Sequence, residues 1–207
     1  MITFLIIAIT AVISILAFYN KELQGRLLFS PIMIAEHRQG YRFVTHAFVH
    51  ADWMHLAVNM FVLLSFGSAV EGYFADFFGP KGWYFYILLY LGGILLSSTP
   101  SFAKHKSNKF YHAVGASGAV SAVVFASILI SPLTGIRFIF IPFDIPAFIF
   151  GGLYLVFSAY MAKKGNDNIG HDAHFWGAVF GLVFTLILEP SLGASFIEQI
   201  AAFAGFV

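Results

Sequence analysis

The sequence predicts an all-α membrane protein, a bundle of six transmembrane helices, and three observations predict it. Of its 207 residues 59% are hydrophobic and only 10% are charged, whereas a soluble domain carries about 25% charged residues on average. The apolar residues fall into stretches long enough to cross a hydrocarbon core of roughly 30 Å. Prolines, glycines and short polar clusters, which interrupt helix, stand between those stretches. A formal net charge of +1 sets up no field that would attract nucleic acid, so no such partner is expected. With no cysteine in the chain, disulfides, thiolate nucleophiles and cysteine-held metals are excluded.

The spans are expected near 2–19, 53–72, 82–100, 115–131, 145–162 and 171–189. The first, in "MITFLIIAITAVISILAFYN", lacks a basic leading region and a small-residue cleavage site, which makes it a retained membrane helix rather than a signal peptide. The connection from Asn20 to Asp52 is long and semi-apolar and carries Pro31, Arg38, Arg42, His46 and His50. Such a segment packs on the protein within the interface rather than looping into water. Pro100 is expected to end the third span and Pro132 the fourth. "GIRFIFIPFDIPAF", with Pro142 and Pro146, reads as an extended or re-entrant connection. "KKGNDN" is the polar turn between spans five and six, and the tail after Pro190 suits an interfacial helix. No repeat or low-complexity tract divides residues 1–207, so one domain is expected.

The fourth span is the informative one. Gly115 to Ser131 is 17 residues, about 25 Å of helix, which is shorter than the hydrocarbon core. One end must lie below the membrane surface, and the free N–H groups of a helix start cannot face lipid. If the start is the sunken end, Ser117 stands at the floor of a wet cavity.

Three polar clusters decide what that hydroxyl is for. "HAVGASGAV" surrounds Ser117 with small residues, which serve either close helix packing or the approach of a substrate backbone. In "GHDAHFWGAVFG", His174, Gly177 and Gly181 share one helix face, so the imidazole lies on the face that allows close approach. A histidine there is either a general base or a bridge between helices. In "THAFVHADWMHLAVNM", His55 and Asn59 are four apart, and both offer N–H donors suited to a developing oxyanion. Their plainer role is an interhelical polar bridge. His46 and His50 are also four apart, but no HExxH motif accompanies them, so neither a metal nor another cofactor is expected.

The chain order of His-x3-Asn, then GASG opening a span, then AHxxGxxxG resembles the rhomboid family of intramembrane serine proteases. "YRFVTHAFVHADWMHLAVNM" resembles that family's Trp-Arg region and the helix after it, with Tyr41 in place of Trp, and Glu71 stands where the family often has a glutamate. The resemblance implies a rhomboid-type bundle with a long interfacial first loop. It makes Ser117 the nucleophile and His174 the base of a dyad, with His55, Asn59 and the Ser117 N–H as the oxyanion hole. It implies membrane-protein substrates with helix-destabilised transmembrane segments, in the lipid bilayer of a bacterial-type inner membrane. The rival is an inactive rhomboid-like protein that binds membrane helices. A channel or transporter is disfavoured by the lack of dispersed intramembrane charge.

Two departures stand out. Where many family members have a tyrosine that packs on the imidazole, four residues after the serine, this chain has Ser121. Either the Ser121 hydroxyl accepts from the second ring nitrogen of His174, or another group holds His174 and Ser121 only packs. The second departure is charge. Nine of the 11 basic residues lie in the first, third and fifth connections, which the family keeps outside the cytoplasm, while the positive-inside rule would put them inside.

Overall fold

The computed structural model describes residues 2–137, 142–165 and 169–206. The chain begins with α1 (Ile2–Tyr19), whose buried residues Thr3, Thr10, Ser14 and Ala17 are all small. Its large side chains, among them Phe4, Leu5, Val12 and Leu16, point outward. Lipid is as apolar as they are, so this polarity is stable only in a membrane. Two carboxylate oxygens of Glu71 hold the free N-terminus of α1, accepting from Ile2 N at 2.5 Å and Thr3 N at 2.9 Å. A carboxylate at a helix start meets both orphan donors and the positive end of the helix dipole.

The first connection folds onto the protein as α2 (Lys21–Leu27), α3 (Pro31–His37), α4 (Arg42–Thr45) and a 3-10 turn, His46–Phe48. Arg42 pins it, with only 5% of its surface exposed. Its guanidinium donates to Gly25 O, Leu28 O and Gln39 Oε1, and Thr45 Oγ1 donates to Leu27 O, so carbonyls left open at the end of α2 are satisfied.

The chain continues through α5 (Trp53–Val62), a π turn at Leu63–Gly67, α6 (Ser68–Phe78), a 3-10 turn at Gly79–Lys81 and α7 (Gly82–His105). Asp52 starts α5 by accepting from His55 N at 2.7 Å. Helix α7 does not stop at Pro100 as expected but runs through it. Pro100 withholds the N–H that would reach Leu96 O, and the turns on either side carry the helix past that gap. Then come α8 (Ser117–Ile130), a two-residue antiparallel pair β1 (Gly135–Ile136) and β2 (Ile145–Pro146), α9 (Ala147–Lys164), α10 (His171–Leu188) and α11 (Ser191–Phe203).

At the described ends of the proline-rich connection β1 pairs with β2, and Arg137 bonds to Asp144 at 2.7 and 3.0 Å. Residues 138–141 of that connection and 166–168 of the polar turn lie outside the described residues. Helix α8 is the centre of the bundle. Eleven of its 14 residues are buried, including Ala119, Ala122 and Ala126, and α7, α9, α10 and α11 pack around it. Among the described residues three stretches are long and apolar enough to cross a membrane, Ile2–Tyr19, Trp53–His105 (which contains α5, α6 and α7) and His171–Leu188. The protein is a mostly helical integral membrane protein.

Candidate active site

Ser117 is the first residue of α8, and its side chain is half-buried while the rest of the helix disappears into the core. Helix α10 meets α8 at glycines. A Cβ at Gly177 would run into the carbonyl of Gly118, and one at Gly181 into the carbonyl of Ala122. Only hydrogen at these two positions lets the backbones touch. Gly118 therefore lies against the turn of α10 that runs from Ala173 to Gly177. His174 is on that turn, and Ser117 directly precedes Gly118.

The segment before Ser117 is clamped by the first connection. Phe29 and Ala113 exchange backbone hydrogen bonds at 2.9 and 3.1 Å, and Gly115 N donates to His46 O at 2.9 Å. Ala116 N donates to His50 Nε2 at 3.4 Å. That bond makes Nε2 the acceptor, so Nδ1 carries the proton toward Ser14 Oγ, 2.8 Å away, and Ser14 donates to Phe48 O. Burial pulls the pKa of His50 down to about 3 and that of His46 to about 4, and both rings are neutral at pH 7.

His55 and Asn59 come up beside this segment on α5. The Nε2 edge of His55 lies so close to Gly115 that a Cβ there would be 2.8 Å from Nε2. Gly115 has φ +111°, which a glycine adopts without strain. His55 Nδ1 accepts from Ala51 N at a long 3.5 Å, which leaves the proton on Nε2, the edge that faces the Ser117 segment. Asn59, 5% exposed, spends one N–H on His55 O at 2.9 Å and keeps the other. His55 of α5 therefore lies against the segment before Ser117, and α10 crosses α8 beside Gly118.

The same stretch carries the match to known proteins: the rhomboid domain spans residues 37–191 of the chain. The chain belongs to the rhomboid family. It is 31% identical over 156 residues to RHOMBOID-like protein 12, mitochondrial, of Arabidopsis thaliana, covering 68% of this chain and 44% of that protein. It is 29% identical over 167 residues to Rhomboid-like protein 11, chloroplastic, of the same plant, covering 77% of this chain and 56% of that protein. The chain thus spans about half the length of the curated relatives it matches. Both relatives carry organelle names, and neither supports the expected bacterial-type inner membrane.

In this rhomboid chain the Ser121 hydroxyl neither bonds to His174 nor only packs. Its Oγ bonds to the hydroxyl of Tyr154 on α9 at 2.6 Å. The Tyr154 ring in turn faces the His174 imidazole, with centroids 6.1 Å apart and planes 28° apart. Sequence reasoning missed Tyr154 because it sought support for His174 only on α8 and near α10. The available signal was helical spacing on α9, where Gly151, Tyr154 and Ser158 form one face. His171 was also undervalued. It is 5% exposed, and its ring meets that of His174 edge-on at 5.9 Å. Asp172, the nearest carboxylate in sequence, pairs with Lys104 at 3.4 Å. His50 offers no spare lone pair to a metal, whereas His46, donating from Nδ1, keeps a lone pair on Nε2. His46 Nδ1 bonds to Arg42 O at 3.0 Å, and both His50 nitrogens are used. Among the described residues no group of three or more histidines and carboxylates is arranged to hold one.

Proposed function

We propose that this rhomboid is an intramembrane serine endopeptidase in which Ser117 is the nucleophile and His174 the general base. The observation that carries the reading is the glycine-lined crossing of α8 and α10, which sets the turn bearing His174 against the residue after Ser117. Ser117 Oγ attacks a peptide carbonyl as His174 takes its proton. The oxyanion then draws hydrogen bonds from His55 Nε2–H, the spare Asn59 N–H and the Ser117 backbone N–H. His174 returns the proton to the leaving amine, and a water, activated by the same imidazole, releases the acyl group. The start of α8 adds positive potential where negative charge develops.

The substrates are transmembrane segments of other proteins. A helix hides its carbonyls in its own hydrogen bonds, so a substrate must unwind at the cut, and small or polar residues there lower that cost. All six long apolar helical segments, α1, α5–α6, α7, α8, α9 and α10, are taken to span the bilayer as one domain. The second reading, a rhomboid that binds membrane helices without cutting them, draws on the relatives' names, which say rhomboid-like and name no activity. A fluorophosphonate probe separates the two. Labelling of the wild type that disappears in Ser117→Ala supports the protease, and an unlabelled wild type supports the binding protein.

A further inference from the structure

We infer that Tyr154 is a positioning residue for the His174 imidazole, supplying from α9 the aromatic ring that this chain lacks at position 121. The inference rests on the reading of Ser117 and His174 as a dyad. A histidine that accepts a proton from Ser117 and passes it to a leaving amine must keep one ring orientation through the cycle. Asp172, two residues from His174, is paired with Lys104.

Tyr154 is itself fixed from several sides. Its hydroxyl is tied to Ser121 Oγ at 2.6 Å. Its ring packs against Phe125 of α8 at 5.5 Å and Phe150 of α9 at 5.8 Å. The remaining face lies toward His174 at 6.1 Å, inclined by 28°. A ring so held limits rotation of the imidazole, and its π-face favours the imidazolium that forms as Ser117 gives up its proton. Ser121 and Tyr154 are complementary in size. A serine on α8, 4% exposed, leaves the space that the tyrosine from α9 enters. Ser121 therefore acts on His174 only through Tyr154.

The test uses purified full-length protein in proteoliposomes and a fluorogenic peptide with one transmembrane segment broken by Gly and Ser. Tyr154→Leu should lower kcat about tenfold or more with KM within about twofold, because the ring contributes to the transfer of a proton and not to substrate capture. Tyr154→Phe and Ser121→Ala remove the two ends of one hydrogen bond. Each should lower kcat by the same factor, and the double variant should be no slower than either single. The exchange Ser121→Tyr with Tyr154→Ser, which returns the ring to α8, should recover most of the lost kcat. Wild-type kcat in Tyr154→Leu overturns the inference, as does multiplication of the two effects in the double variant. If Tyr154→Leu does not fold, the hydrogen-bond pair decides alone. Failure of the dyad reading shows separately, as wild-type cleavage that persists in Ser117→Ala or does not occur at all.

Discussion

A serine hydroxyl is a poor nucleophile until a base removes its proton, so the roles proposed for Ser117 and His174 stand or fall as a pair. Ser117→Ala and His174→Ala should each abolish cleavage of a membrane-helix substrate while the protein stays folded and inserted. Since each removes part of one proton-transfer unit, the double variant should be hardly worse than either single. Residual cleavage that falls further in the double variant would show two independent contributions and sink the pairing. In the proposed mechanism His55 and Asn59 act on charge that exists only in the transition state. His55→Ala and Asn59→Ala should lower kcat by about a hundredfold, or about 3 kcal/mol, with KM little changed. A rise in KM at constant kcat would make them an interhelical bridge instead. The types and order of these four residues were legible in the sequence. Tyr154 was not, because its contact with His174 joins residues that only packing brings together.

At the scale of elements, the first connection is the clamp on the segment before α8. Its buried histidines give it a pH dependence. In the folded protein His50 has a pKa of about 3 and His46 of about 4, while in the unfolded chain both return to about 6.5. Above pH 6.5 neither state binds these protons, and their contribution to stability is complete. As pH falls below 6.5 the unfolded chain takes up protons that the folded one refuses, so stability is lost down to about pH 4 for His46 and about pH 3 for His50. The melting temperature of detergent-solubilised protein should therefore fall between pH 6.5 and 4, with a shallower fall in His50→Asn. An identical slope in both proteins would show that His50 is not one of the groups responsible. Helix ends were readable to within a few residues from hydropathy, except that α6 runs on to Phe78 and α7 passes Pro100 to reach His105. There a proline was given the power to stop a helix, and the turns on either side carry the helix past it.

For the whole molecule the open quantity is orientation. Lys104 is paired with Asp172 at the start of α10, and Lys163 and Lys164 end α9 just before it. Both basic clusters thus lie at the end of the bundle where α10 begins. Cysteine reporters placed at Ser107 and Gly165 should react together with a membrane-impermeant reagent, and they should do so from the non-cytoplasmic side. Reaction of both from the cytoplasmic side would show that the basic-residue count outweighs the family arrangement. Reaction from opposite sides would contradict the fold itself.

The sequence by itself determined that this chain enters a membrane, roughly where its helices lie, and which family it resembles. Those properties follow from local quantities: apolar run length, breaker residues, and polar groups at helical spacing. It also flagged α8 as too short for the bilayer, since length is countable. Only the tertiary structure decided what those groups touch. It gave Ser121 to Tyr154 rather than to His174, sent Asp172 to Lys104, and put the first connection to work holding the segment before Ser117. Each of those pairings closes a gap between elements that are far apart in the chain. Helical periodicity says which face a side chain is on, but not which neighbour that face will meet.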